Sequence, residues 1–299
     1  MMIKRCIQVT QVSAIGLGGM PMSVEGRPDR DRSIRTIHAA LDAGVTLIDT
    51  ADAYHLGSDA VGHDETGHNE ELVAEALRSW SGDADEILVA TKGAHLRTAD
   101  GTWLLVGRPE YIKKAARASA RRLGVDSIGL YQYHRPDPEV PYEDTIGALV
   151  ELLDDGVIRM AGISNANSAQ ILLANKVLGG RLASVQNQFS PSLRSSLPEL
   201  ELCAELDIAF LPWSPLGGIS RAGDLGNRYA AFADVAMVRG VSAQQVCLAW
   251  EVSLSSTVIP IPGASRPESI LDSVGAVDLV LSADEIAALS IAALSIAEA

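Results

Sequence analysis

A chain of 299 residues that is 47% hydrophobic and 21% charged has ordinary globular composition, which excludes a disordered or low-complexity protein. Its 38 acidic and 24 basic side chains leave a formal net charge of −14, a surface that repels nucleic acid and anionic membrane. Cys6, Cys203 and Cys247 are too scattered to frame disulfides or a zinc knuckle, which fits a reducing compartment.

The opening MMIKRCIQVTQVS lacks the apolar core of a signal peptide, and no run nears the ~18 apolar residues of a membrane span. A cytoplasmic protein is therefore expected. Short apolar runs then recur at Ala14–Leu17, Thr46–Thr50, Ile87–Thr91, Ile128–Tyr133, Met160–Ser164, Ser184–Asn187, Ala209–Trp213 and Val258–Ile261. Between them lie helical patterns, clearest over Arg108–Leu123, where Ile112, Ala115, Ala116, Ser119 and Leu123 share one face. A last helix is expected from Ser282, an N-cap with Glu285 three residues on, carrying the Ala-Leu-Ser-Ile-Ala repeat of 288–297.

Eight strands alternating with helices predict an α/β fold, a (β/α)8 TIM barrel forming one domain over 1–299. The rival is a doubly wound sheet with a dinucleotide loop. Its only support is Gly16-Leu17-Gly18, and Pro21 stands where the third glycine would be needed.

In a barrel the active site sits at the C-terminal ends of the strands, so polar residues that end the apolar runs are the candidates. The second run ends in Asp49, the third in Lys92 and the fourth in His134, each one strand–helix unit from the next. Tyr54 follows Asp49 in the loop over the mouth. Singly, Asp49 reads as a cap, Lys92 as a solvated lysine, Tyr54 as a packed aromatic and His134 as a structural histidine. Together, on three adjacent strand ends, they read as an acid–base constellation.

These segments resemble the aldo-keto reductases. The resemblance is carried by Asp49-Thr50-Ala51-Asp52-Ala53-Tyr54, Thr91-Lys92 and Tyr133-His134-Arg135-Pro136-Asp137. It continues through Gly162-Ile163-Ser164-Asn165, Gln186, Trp213-Ser214-Pro215-Leu216-Gly217 and Ile261-Pro262-Gly263-Ala264-Ser265-Arg266. It implies a catalytic tetrad of Asp49, Tyr54, Lys92 and His134, with NADPH extended across the barrel mouth. Physical chemistry agrees with those roles. A phenol with a pKa of about 10 is a reluctant acid near neutrality. An ammonium ~4 Å away would favour the phenolate by up to about 4 kcal/mol at an effective dielectric near 20. Asp49 would keep Lys92 charged, and His134 would orient the substrate oxygen.

The resemblance also implies cofactor contacts. Ser164, Asn165 and Gln186 match the carboxamide-binding trio, and Trp213 the ring against the nicotinamide face. Ser214, Leu216 and Gly217 match the pyrophosphate loop, and Gly19 and Met20 the ribose side. Ser265 and Arg266, at the start of a helix, match the phosphate end. Further basic and acidic–amide contacts usual in the family fall on Ser269, Leu271, Asp272 and Ser273, so NADPH is expected with NADH as a second candidate.

The substrate wall is expected from Tyr54, His55, Trp103 and His134, with the long loop His55–His68 arching beside the opening. That loop carries His55, His63, His68, Asp59, Asp64 and Glu65, but their spacing matches no compact metal pattern, so no metal is expected. The expected activity is NADPH-dependent reduction of small aldehydes or ketones, with Tyr54 as general acid. The alternatives are an NADPH-binding redox-sensing or regulatory subunit that turns over slowly, and a metal-dependent barrel hydrolase.

Overall fold

Runs such as Ile128–Tyr133 are apolar on consecutive residues, the pattern of strands covered on both faces. The computed structural model describes residues 3–297, and in it these runs line up side by side. The chain starts with an antiparallel hairpin of β1 (Lys4–Ile7) and β2 (Thr10–Ser13). Next come β3 (Leu17–Gly18), helix α1 (Arg30–Asp42), β4 (Leu47–Asp49) and helices α2 (Ser58–Val61) and α3 (His68–Ser79). After β5 (Leu88–Gly93), a second hairpin of β6 (His95–Arg97) and β7 (Trp103–Leu105) precedes α4 (Pro109–Leu123). Then β8 (Ile128–Tyr133), α5 (Tyr142–Asp154), β9 (Ile158–Ser164), α6 (Ser168–Val177), β10 (Leu182–Gln186), α7 (Leu197–Glu205) and β11 (Ala209–Phe210) alternate. Helices α8 (Leu225–Arg228), α9 (Ala230–Arg239), α10 (Ala243–Leu254), α11 (Pro267–Gly275) and α12 (Ala283–Ala297) follow.

Strands β3, β4, β5, β8, β9, β10 and β11 form one parallel sheet in that order. The eighth run closes it. Ile259 and Ile261 donate their N–H to the carbonyls of Phe210 and Pro212, while Gly16 and Gly18 donate to Pro260 and Pro262. This segment was expected as a full strand, yet only isolated bridges, Phe210↔Val258 and Gly18↔Gly263, mark it. The reason is chemical: Pro260 and Pro262 have no N–H, so half the ladder toward β3 cannot form. The first run likewise shortens from Ala14–Leu17 to β3. The architecture is nonetheless the expected (β/α)8 barrel. Residues 1, 2, 298 and 299 of the expected 1–299 domain lie outside the described residues.

Inward side chains of the strands, among them Leu47, Ala90, Leu130, Met160, Ala209 and Ile259, fill the barrel interior together with Ile7 and Val12 of the first hairpin. The β1–β2 hairpin thus plugs one end and leaves the other to the strand C-termini. Between sheet and helices lie larger apolar layers built around Trp250, Tyr131 and Phe189 on one side and Leu17, Ile37 and Leu72 on the other. Gly124, at a φ of 72°, ends α4. Ser282 and Glu285 exchange backbone and side-chain hydrogen bonds at the start of α12, the box anticipated there. Among the described residues, no helix is long and apolar enough to cross a membrane.

Ile7 has no exposed surface and seals the apolar end of the barrel. Ile7→Ala is expected to lower unfolding free energy by about 2–5 kcal/mol, read as a shifted denaturant midpoint. Catalytic constants of the folded fraction should stay unchanged, because the reacting groups lie at the opposite end.

Candidate active site

Lys92 lies near the C-terminal end of β5, the third barrel strand, with its side chain turned into the barrel and fully buried. Its ammonium uses all three N–H bonds: to Asp49 Oδ1 at 2.5 Å, to the Thr50 carbonyl at 2.9 Å and to Tyr54 Oη at 3.1 Å. The other oxygen of Asp49 accepts from Gln186 Nε2 at 2.7 Å and Gln132 Nε2 at 3.3 Å. Burial opposes the charge on Lys92, but Asp49 and the Tyr54 oxygen outweigh it and raise its pKa above the ordinary lysine value. The Tyr54 phenol corrects a simpler expectation. Lys92 pulls its pKa down as anticipated, yet burial pushes harder and the net shift is upward.

His134 sits across from Tyr54 with ring centroids 5.7 Å apart. Burial, then the charge of Lys92 and its neighbours His95 and Arg135, hold its pKa well below the usual histidine range, so the ring is neutral. Its Nδ1 is buried without a partner. A cavity of about 540 Å3 opens above these groups. Its lining brings together Asp49, Tyr54, His134, Met20, Ser164, Asn165, Gln186, Trp213, Ser214, Leu216 and Trp103. Lys92 lies directly beneath.

Several lining residues carry no role assigned from the sequence, among them His95 and Arg135. The chain leaves β5 through Ala94, whose φ of 93° is rare for a residue with a side chain. That turn aims His95 back over the mouth, where its ring lies 4.3 Å from His134 and 5.4 Å from Trp103. Burial lowers the His95 pKa to about 4. Trp103 is held by Arg97, whose guanidinium stacks 4.6 Å from the ring. The same guanidinium pairs with Glu25 and donates to the His55 carbonyl at 2.6 Å and the Gly101 carbonyl at 3.2 Å. One arginine therefore ties together the loops after β3, β4 and β5.

On the cofactor side the positions divide. Ser164 Oγ donates to the Gln186 carbonyl at 2.6 Å, and Asn165, at a φ of 56°, donates from Nδ2 to the His134 carbonyl at 3.0 Å. Trp213 presents its ring to the cavity, with Nε1 buried and unpartnered. Ser214 takes a φ of 53° and accepts the Gly217 N–H, so the 214–217 segment is a tight turn at the rim. Gly217 and Gly19 do not line the cavity; a Cβ on Gly19 would meet Asn69, and its N–H serves the Asp49 carbonyl. Ser265 and Arg266 lie beyond the cavity, past Gly263 on its edge. Arg266 is the exposed N-cap of α11 and donates from Nε to Ser269 Oγ at 2.7 Å. Asp272 is engaged by Ser242 and Gln245 of α10.

The segment His55–His68 departs from expectation. None of its residues lines the cavity. His55 is buried, its Nδ1 on the Leu56 carbonyl, and Asp59 donates its N–H to Ala99 at the tip of the β6–β7 hairpin. Glu65 forms a two-pronged ion pair with Arg27, and His68 meets Ser23. The loop satisfies its polar groups against the hairpin and against the segment between β3 and α1, so the wall is the hairpin and not the loop. Among the described residues, no three or more His, Cys, Asp or Glu side chains are grouped to hold a metal ion.

The model of the aldo/keto reductase family matches residues 14–293. An uncharacterized oxidoreductase of Schizosaccharomyces pombe is 31% identical over 284 residues, spanning 93% of this chain and 86% of its own. A 6-dehydroglucose reductase of Novosphingobium aromaticivorans is 33% identical over 274 residues, 87% of this chain and 85% of its own. The crystal structure of an aldo/keto reductase from Klebsiella pneumoniae in complex with NADP and acetate superposes with a TM-score of 0.77 at 26% identity. That match covers 94% of this chain and 91% of the other.

Removing Arg97 should loosen the Trp103 wall and leave the floor intact. Arg97→Ala is expected to lower kcat/KM for carbonyl substrates by about tenfold, mainly through KM, while Kd for NADPH stays within about threefold. Arg97→Lys should not restore it, because an ammonium cannot reproduce the planar fork and the stacking. Steady-state kinetics alongside cofactor fluorescence titration measure both.

Proposed function

The chain belongs to the aldo/keto reductase family, and we propose that it reduces aldehyde or ketone carbonyls to alcohols with NADPH, using Tyr54 as the general acid. The observation that carries this reading is the three-way donation of Lys92 to Asp49, Thr50 and Tyr54 beneath a cavity lined by Tyr54 and His134. The residues present suit a nicotinamide. Ser164, Asn165 and Gln186 offer hydroxyl and amide groups to a carboxamide, and Trp213 offers a flat ring. Bound NADPH supplies the hydride that adds to the carbonyl carbon.

The proton is the protein's task. Lys92 donates into one lone pair of Tyr54 Oη, which leaves the phenolic hydrogen to face the cavity. A substrate oxygen between Tyr54 and the neutral His134 can accept a hydrogen bond from each and take its proton from Tyr54 as negative charge develops there. The raised phenol pKa keeps that proton in place at neutral pH, and Lys92 stabilises the phenolate once it has left. Asp49 balances the ammonium, so the charge under the site is fixed before the substrate arrives. For the slow regulatory-subunit alternative the structure offers no favouring observation, since every proton-transfer group is in place.

Two measurements test the reading. Tyr54→Phe should cut carbonyl reduction by about 10²-fold or more while NADPH still binds; near-normal turnover would assign the acid elsewhere. Lys92→Met should act similarly. In its residual alcohol oxidation, which needs the phenolate, the alkaline rise in rate should move to higher pH, because the one group lowering the phenol pKa is gone.

Cofactor choice rests on Arg266, whose terminal guanidinium nitrogens make no hydrogen bond among the described residues at the N-terminus of α11. Arg266→Ala should weaken NADPH by about 1.5–3 kcal/mol and NADH far less, because only NADPH carries the 2′-phosphate. Equal losses in a titration of both cofactors would remove Arg266 from phosphate recognition.

A further inference from the structure

The substrate end of the cavity has a charge pattern that carbonyl chemistry alone does not require. Arg135, one residue past His134, lines the cavity, and among the described residues its side chain makes a single hydrogen bond, from Nη2 to Asn165 Oδ1 at 3.2 Å. Among the described residues it forms no ion pair. Its neighbour Asp137 is spoken for, accepting the N–H of Gly107 at 2.8 Å and of Glu139 at 3.0 Å. Asp49 is the one carboxylate in the lining, and Lys92 neutralises it from below at 2.5 Å. The remaining polar groups on this wall are the two imidazoles, each with a buried Nδ1 that lacks a partner. A protein of net charge −14 thus keeps an uncompensated guanidinium beside its reacting groups, next to two imidazoles whose buried Nδ1 atoms have no partner.

An unpaired guanidinium is a planar, always charged fork whose best partner is a carboxylate. Trp103 and Leu105 supply apolar surface to the same cavity, suited to a short carbon chain. We infer that the preferred substrates are oxo acids: carbonyl compounds whose carboxylate docks on Arg135 while the carbonyl oxygen reaches Tyr54 and His134. This rests on the carbonyl-reductase reading above and narrows it. The acidic surface opposes entry of such an anion at long range, so the recognition must come from this local pairing and not from steering.

The test compares a short series of ω-oxo carboxylates with their methyl esters, using the full chain and NADPH. The wild type should show kcat/KM at least about tenfold higher for the carboxylates, with the gap shrinking as salt is raised. Arg135→Ala and Arg135→Gln should bring the carboxylates down to the level of the esters through KM. Ester reduction and NADPH affinity should stay within about threefold, and Arg135→Lys should recover part of the preference. Equal use of acids and esters by the wild type, or equal losses on both in the Arg135 variants, would overturn the inference. If no carbonyl compound consumes NADPH, the reductase reading fails, and tryptophan fluorescence with butanoate against butanamide still reads the site. A preference for butanoate that vanishes in Arg135→Ala sustains the anion site; equal response to both probes overturns it.

Discussion

A buried ammonium is tolerated only where its charge and its hydrogens are fully answered, and Lys92 imposes that condition on the whole upper half of the barrel. Along β4, β5 and β8 the inward positions run Leu47 then Asp49, Ala90 then Lys92, and Leu130 then Gln132. Strand side chains alternate faces, so each pair stacks one layer above the other inside the barrel. The lower layer is apolar and packs against the β1–β2 plug. The upper layer is polar and internally bonded, with Ser184 donating to Gln132, and Gln132 and Gln186 donating to Asp49. Leaving one member of such a layer unpaired costs about 3–5 kcal/mol, so its geometry is fixed before any ligand enters.

On the outer face of β5 a second buried polar group answers the first. Thr91 donates to Glu70 at 2.5 Å, and Arg122 pairs with the same carboxylate at 2.6 Å. Asp52, from the segment joining Asp49 to Tyr54, lies near them with its pKa pushed well up, by burial first and the Glu70 charge second. Consecutive residues of one strand thus anchor Tyr54's segment from both sides: Lys92 through the phenol and the Thr50 carbonyl, Thr91 through the carboxyl group of the following helix. The rim is built differently, from residues at positive φ such as Ala94, Asn165 and Ser214. Each re-aims the chain as it leaves a strand.

The strands were legible because both faces of each are buried, leaving consecutive apolar residues as a signal. The grouping of Asp49, Tyr54, Lys92 and His134 is legible because barrel topology puts strand C-termini on one rim, so Asp49, Lys92 and His134 read as neighbours from spacing alone. What lay outside that logic was missed. The β6–β7 hairpin does carry a turn pair, Asp100-Gly101, but its strands are three residues each, too short for alternation to show beside it. His95 was overlooked for the same reason: its place over His134 depends on the left-handed turn at Ala94, which nothing about alanine announces. The loop His55–His68 is expected at the opening because Tyr54 starts it at the mouth and it is long, whereas its anchors, Arg27, Arg97 and Ala99, are remote in sequence. Pro260 and Pro262 were visible but not weighed against the apolar isoleucines around them.

Barrel closure joins the two ends of the chain. Gly18, Met20 and Pro21 come from the first βα unit and Ile261, Pro262 and Gly263 from the last, yet they share one wall of the cavity. Gly263 has no side chain because Pro21 fills the space a Cβ would need. A nascent chain leaving the ribosome can pair β3 with β4 early, but must leave the other edge of β3 unpaired until nearly all of the protein has been made. The floor of the site, carried by β4, β5 and β8, can be assembled well before that moment. The cleft itself acquires its last wall only when the C-terminal quarter arrives, so a truncated product would carry the reactive residues without an enclosed place to use them.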